Sequence, residues 1–254
     1  MAEADPFARV RLLMGAHAVA AFAHARVAVF GLGGVGGWCA EALVRSGVGS
    51  LLLVDDDRVV PSNLNRQVPA LSSTLGRFKV DVLAERLRDI NPSVAIEARS
   101  ERYTPESAVS FGLASFDCVV DAIDSVRCKA HLIRAAVDAG VTLFSSMGAA
   151  ARVDISRIKA TPFRKVAGDG LAKALRRRFK EDGWTKLDFM CVWSDEPPSN
   201  LGERMPEDGT ANGSFMPVTA AFGLHLASLV LSSVRSAAAE SRGISDLGGR
   251  SGEA

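Results

Sequence analysis

Val27-Ala-Val-Phe-Gly-Leu-Gly-Gly-Val-Gly-Gly37, followed by Leu51-Leu-Leu-Val-Asp55 and Asn63-Leu-Asn-Arg-Gln67, is the stretch whose reading decides the fold. Val27 to Phe30 is a short β-branched and aromatic run suited to a buried strand. Gly31, Gly33 and Gly36 then give the spacing of a phosphate-binding turn, with Gly34 inside it. Glycine there permits the tight turn, lets backbone approach a phosphate and lets the next helix pack closely on the strand. A helix starting near Val35 would point its N–H groups and positive dipole end at that phosphate. Asp55 ends the second strand, where a carboxylate would hold ribose hydroxyls. Strand, glycine turn, helix, strand and acid stand in the order a nucleotide site requires.

The rest of the chain extends the same rhythm. An Ala-rich helix is predicted over 8–24. Strands are predicted near 26–31, 50–55, 94–98, 117–122 and 141–146, and helices near 35–46, 78–90, 105–114, 125–139, 170–181 and 217–236. Alternation of this kind implies parallel strands joined by right-handed crossovers. The expected fold is therefore α/β: a Rossmann-like, doubly wound, mostly parallel sheet with added C-terminal helices and a long crossover loop. Residues 1–242 are expected to form one domain, with a basic helical segment at 152–182, a mobile loop at 195–214 rich in Pro, Gly and charge, and a flexible tail at 243–254.

A chain of 254 residues with 48% hydrophobic and 23% charged residues can bury a sizeable core, and its net charge of +1 names no partner by itself. The four cysteines, Cys39, Cys118, Cys128 and Cys191, form no C-x-x-C pair, which argues against a structural zinc site and a disulfide framework and for the reducing cytoplasm. Val218 to Val234 is apolar but interrupted by His225 and hydroxyl residues, and short for a span of about 20 apolar residues. It reads as a buried helix, with no integral membrane insertion.

A second constellation selects the nucleotide. In a parallel sheet the loops after the strand C-terminal ends converge on one crevice. Asp55, Asp57, Asn63 and Arg66 leave the second strand into that crevice, Lys79 follows, and Asp124 leaves the fourth strand. Cations and acids beside a phosphate cradle suit phosphoryl or nucleotidyl transfer, in which the cations neutralise charge developing on a triphosphate and a carboxylate holds Mg²⁺. Hydride transfer with NAD would leave Arg66, Lys79 and Asp124 without a task.

On these residues, from about 7 to 150, the chain resembles the E1-like ATP-dependent adenylating enzymes, which include sulfur-carrier activators and the ubiquitin-activating domains. The resemblance implies that Asp55 holds the ribose, that Asn63, Arg66 and Lys79 hold phosphates, and that Asp124 is the Mg²⁺ ligand. Arg11, in Val10-Arg-Leu-Leu-Met-Gly15, is similar to the arginine that family homodimers insert into the neighbouring ATP site. Arg11, Arg66, Lys79 and Asp124 are thereby the expected catalytic groups. Trp38 to Gly49, Ala84 to Pro92, Asp121 to Arg127 with Lys129, and Ser146 to Ala149 resemble the branch that dehydrates the threonylcarbamoyl side chain of a modified adenosine in a tRNA anticodon loop. That resemblance implies an acyl-adenylate closed into a ring by the same side chain, so no covalent protein nucleophile is needed. The alternative activity is adenylation of the C-terminus of a small ubiquitin-like sulfur-carrier protein, with a sulfur-relay or carrier protein as partner.

Residues 152–180 add a clue about the substrate. They hold ten Lys/Arg (Arg152, Arg157, Lys159, Arg164, Lys165, Lys173, Arg176, Arg177, Arg178, Lys180) against Asp154 and Asp169, so 10 − 2 = +8 in a nearly neutral chain. Leu171, Leu175 and Phe179 form an apolar stripe that turns Lys173, Arg176, Arg177 and Lys180 outward, with Arg178 nearest the stripe. These five cations are the expected tRNA-phosphate contacts, against the alternative of a solvated helix face.

Overall fold

The computed structural model describes residues 5–184, 186–203 and 212–248. The chain runs α1 (Ala8–Met14), α2 (Ala16–His24), β1 (Arg26–Phe30), α3 (Gly36–Arg45), β2 (Ser50–Val54), α4 (Lys79–Ile90), β3 (Ala95–Arg99), β4 (Cys118–Asp121), α5 (Val126–Asp138), β5 (Thr142–Ser146), β6 (Ile158–Pro162), α6 (Gly170–Glu181), β7 (Met190–Ser194) and α7 (Met216–Gly248). Among the described residues the strands make one seven-stranded sheet in the order β3-β2-β1-β4-β5-β7-β6. Every pairing is parallel except β6 against β7.

Strand alternation builds two cores. One set of strand side chains, Val27, Val29, Leu51, Leu53 and Val120, packs with Leu43 of α3, Leu83 and Leu87 of α4, and Phe222, Leu226 and Val230 of α7. The opposite set, Ala28, Phe30, Leu52, Val54 and Val119, packs with Leu132 and Ile133 of α5 and Leu175 and Phe179 of α6. Both faces of the parallel sheet are thus covered, as parallel pairing requires. The chain steps outward from β1 to β2 and β3, then returns to place β4 on the other side of β1. The strand order therefore reverses between β1 and β4, and a crevice opens at their C-terminal ends. The apolar helix α7 lies mainly on α3, with Val218, Phe222, Leu226 and Val230 fully buried. Its hydropathy and length over Met216–Ser241 would also suit a membrane span, and half of the most apolar stretch is buried in the protein.

Several expectations needed correction. The helix predicted over 8–24 is two, because Gly15 adopts φ +87°, ψ 156° and breaks it. The helix predicted over 105–114 is a pair of 3-10 turns, 108–111 and 113–115, separated by left-handed Gly112. There Thr104 N–H donates to Ser107 Oγ, and this side chain–backbone bond competes with helix propagation. Strands β6 and β7 add to the five predicted. β6 is a half-exposed edge strand closing on Pro162, so it lacks a buried strand's signature. Segment 152–182 is consequently α-helical only from Gly170, and α7 extends twelve residues past the predicted 236. Of the loop at 195–214, residues 204–211 lie outside the described residues, as do 249–254 of the expected tail.

Candidate adenylation site

A cleft of about 480 Å³ opens at the β1/β4 crevice and is lined by Gly31, Gly33, Gly34, Asp55, Asp57, Asn63, Arg66, Lys79 and Asp124. The sequence-predicted nucleotide residues converge there, apart from Gly36, which shapes the turn from behind. β1 delivers the chain into Gly31, whose φ of +86° disfavours a side chain and whose added Cβ would lie 2.7 Å from the Ala122 carbonyl oxygen. A Cβ on Gly36 would lie 1.8 Å from the Gly31 carbonyl oxygen. The turn closes only because both residues are glycine. The Val35 cap of α3 supplies no side-chain acceptor, so no side chain competes with an anion for the first N–H groups of that helix, of which Gly37 N–H donates to Gly33 O at 3.3 Å.

Asp55 has two tasks. Its Oδ2 accepts from Leu32 N–H at 2.6 Å and its Oδ1 from Asp57 N–H at 2.9 Å, so the carboxylate clamps the glycine turn to the end of β2. Each oxygen keeps capacity for a further donor such as a ribose hydroxyl. Burial raises the Asp55 pKa above the ordinary carboxylate value, and Lys79 and the two N–H donors oppose that rise.

Lys79 is buried at the first residue of α4, and its Nζ lies 2.7 Å from Asp57 Oδ2. Arg66 is half-buried, and desolvation lowers its pKa. Its Nη1 donates to Ser62 O at 2.8 Å and to Asn65 Oδ1 at 2.9 Å. Asn63 is buried and uses Oδ1 to accept from Val60 N–H at 3.2 Å, which leaves its amide N–H groups for the cleft. Gln67, which closes the Asn63-Leu-Asn-Arg-Gln67 motif, is buried on the cleft wall. Its Oε1 is, among the described residues, the buried side-chain polar atom without a partner. An orphaned acceptor on a residue of the cleft wall fits a site completed by a donor from a ligand or a water. Tyr103, Ser214 and Thr219 also line the cleft and belong to no motif; they arrive from elements distant in sequence.

The Asp124 loop is set by a network around Asp121 and Lys129, whose pairing only the structure shows. Asp121 and Lys129 form an ion pair at 2.8 Å with both side chains fully buried. Asp121 also accepts from Ser145 Oγ at 2.7 Å and from Ile123 N–H at 3.1 Å, while Lys129 Nζ donates to Ile123 O at 3.1 Å. The pair therefore holds residues 121–123 and presents Asp124, exposed, at the cleft mouth.

Other predicted residues lie elsewhere. Arg11 is on exposed α1, paired with Asp5 and outside the cleft lining of its own chain. On α6, Lys173, Arg177 and Lys180 are exposed. Arg176 donates to the carbonyls of Phe163 and Val166, at 3.0 and 2.6 Å, and Arg178 pairs with Asp182 at 2.7 Å. Arg152 is buried against Asp169 at 2.9 Å. All four cysteines are buried. Burial pushes the Cys118 and Cys191 thiols up to about 12 and the Cys39 thiol up as well, so these three are poor nucleophiles.

Similarity to known proteins agrees with this geometry. A tRNA threonylcarbamoyladenosine dehydratase of Bacillus subtilis (strain 168) is 40% identical over 197 residues, 78% of this chain and 77% of that protein. The dehydratase of the same name from Escherichia coli (strain K12) is 38% identical over 210 residues, 79% of this chain and 78% of that protein. The crystal structure of the E. coli enzyme, TcdA, in complex with ATP superposes with a TM-score of 0.84 at 36% identity, covering 92% of this chain and 96% of that one. The pattern of the ThiF family matches residues 7–243, and the chain belongs to that family.

Proposed function

We propose that this protein is an ATP-dependent tRNA threonylcarbamoyladenosine dehydratase. The observation that carries the reading is the cleft itself: a glycine turn, a ribose-competent carboxylate, a buried lysine and an arginine converge at the sheet's switch point, in a chain matching dehydratases over three-quarters of its length.

The threonyl carboxylate attacks the α-phosphorus of ATP, the α–β phosphoanhydride bond breaks and pyrophosphate leaves. A nucleophilic atom of the same carbamoyl side chain then attacks the activated carbonyl carbon. The ring closes, that atom's proton is lost, and AMP departs with the carboxylate oxygen, so the substrate has lost the elements of water. Arg66, Lys79 and the N–H groups of α3 oppose the charge of the departing pyrophosphate; positioning and fixed electrostatics supply the rate. The buried, high-pKa thiols of Cys39, Cys118 and Cys191 accord with a route without a protein thioester. Asp124, an exposed hard oxygen donor on the cleft lining, would hold Mg²⁺, which when bound neutralises phosphate charge.

The working unit in this reading is a cytoplasmic homodimer in which Arg11 completes the neighbouring site. The exposure of Leu12 and Leu13 beside Arg11, at 84% and 83%, supports a covered α1. The tRNA backbone lies along the exposed cations of α6. The test is release of AMP and pyrophosphate with tRNA that carries the threonylcarbamoyl group and with tRNA that lacks it. Release only with the modified tRNA is expected. Release driven instead by a small protein with a Gly-Gly tail would replace this reading with carrier activation.

A further inference from the structure

Asn65 stands between two functional residues of the cleft and belongs to neither task. Its Oδ1 accepts from Arg66 Nη1 at 2.9 Å, and its Nδ2 donates to the Ser214 carbonyl at 2.9 Å. The amide orientation follows from the partners, since a guanidinium can only donate and a carbonyl can only accept.

Ser214 ends the long crossover loop, and the ends of that loop are knotted together. Ala151 N–H donates to Gly213 O at 2.8 Å, and Ser199 N–H to Ala151 O at 2.9 Å. Gly213 N–H donates to Asn200 Oδ1 at 2.8 Å, and Asn200 Nδ2 to Asn212 Oδ1 at 3.1 Å. Ala151 sits at φ +57°, the non-glycine positive φ among the described residues, so the knot holds a conformation alanine disfavours. Ala149, Ala150 and Ser214 line the nucleotide cleft. The base of the loop is therefore a wall of the cleft, and Asn65 is its side-chain tie to the phosphate-binding motif.

We propose that Asn65 is a positioning residue that couples triphosphate occupancy to the order of the loop base at 199–200 and 212–214. The inference rests on the ATP reading of the cleft. A phosphate gripped by Arg66 restrains that guanidinium, Asn65 passes the restraint to Ser214, and the Ala151–Gly213 pairing becomes harder to open. Coupling is reciprocal, so an ordered loop base also favours ATP. The wall beside the reacting phosphate would then be firmest when ATP is present.

The experiment measures ATP binding by calorimetry and amide hydrogen exchange at Ala151 and Gly213, with and without saturating ATP. In the wild type, ATP should slow exchange at both amides. In Asn65→Ala, ATP should bind about ten-fold more weakly, the scale of a lost hydrogen bond to a charged group. At saturation it should no longer slow either amide. Asn65→Asp keeps an acceptor for Arg66 but has no donor for Ser214, so it too should lose the exchange response. A purely structural Asn65 would instead speed exchange equally with and without ATP. If both variants, saturated with ATP, protect Ala151 and Gly213 as the wild type does, the coupling is refuted while the ATP site stands. If the wild type binds no ATP, the site reading falls and the coupling falls with it.

Discussion

Lys129 offers the sharpest test of how the fold builds the cleft. The Lys129–Asp121 pair is 2.8 Å long and fully buried, and it holds residues 121–123 through Ser145, Ile123 N–H and Ile123 O. In Lys129→Met the side chain keeps its length and packing, but the Asp121 carboxylate stays buried without a counter-charge. Breaking a buried pair in this way costs about 3–5 kcal/mol. At about 2–4 °C per kcal/mol for a domain of this size, the melting temperature should fall by about 6–20 °C. Asp121→Asn on the Lys129→Met background removes the stranded charge and keeps a side chain that can bond Ser145 and Ile123. The double variant should recover most of the loss, since the penalty belongs to the unpaired ion and not to the absence of the bridge. Calorimetric unfolding of wild type, both single variants and the double variant measures the cycle. A Lys129→Met protein that melts with the wild type, or a double variant no more stable than Lys129→Met, would refute the reasoning.

Three further outcomes are expected. Arg11→Ala and Lys79→Ala proteins, each inactive alone, should regain partial activity when mixed, because a hybrid dimer holds one site with both residues; an active monomer in dilute solution would exclude this. In the ribose reading an ionised Asp55 accepts the hydroxyls through charge-assisted bonds that protonation weakens, and burial raises its pKa. ATP affinity should therefore fall as pH is lowered, starting above the ordinary carboxylate range, and calorimetry showing flat affinity down into that range would contradict the assignment. Neutralising Lys173, Arg177 and Lys180 together should weaken tRNA binding and flatten its salt dependence by about one unit of slope for each phosphate left without its cation, with ATP binding intact; an unchanged salt slope would make α6 a solvated face.

The parts of the site legible in the sequence are those written within one strand–turn–helix unit. Gly31, Gly33, Gly36 and Asp55 are close in sequence, and at Gly31 and Gly36 glycine is demanded by approaches so short that no side chain fits. Asn63, Arg66 and Lys79 follow along the same excursion from β2. What stayed hidden depends on pairings between distant segments. Tyr103 reaches the cleft from beyond β3, while Ser214 and Thr219 arrive from the far end of the chain. Asp121 and Lys129 both stand in a stretch that carries the family resemblance, but that they pair shows only when β4 and α5 are packed together. The edge of the sheet was hidden for a related reason, since β6 owes its place to β7 and shows little hydrophobic pattern of its own.

The basic segment shows the limit of counting charge along a chain. Its excess of cations is a property of composition, but the field at the surface depends on which of them are already neutralised. Arg152 is buried against Asp169. Arg157 and Lys159 share Asp195, and Arg164 pairs with Asp188; both acids lie outside the 152–180 window that gave the excess. Arg176 caps two carbonyls and stacks over Phe163, its guanidinium carbon 4.9 Å from the ring centre, so its substitution would disturb packing as well as charge. Lys165, Lys173 and Lys180 are exposed with no ion pair among the described residues, and Arg177 holds Glu181 only at 3.7 Å. An exposed i,i+4 pair of that kind is worth little and yields readily to a phosphate. A polyanion would thus meet a narrower set of cations than the sequence suggests, and Lys173, Arg177 and Lys180 stand on one exposed side of α6. That placement is why the salt-slope experiment neutralises these three and spares Arg176 and Arg178, whose loss would confound RNA affinity with the stability of the helix.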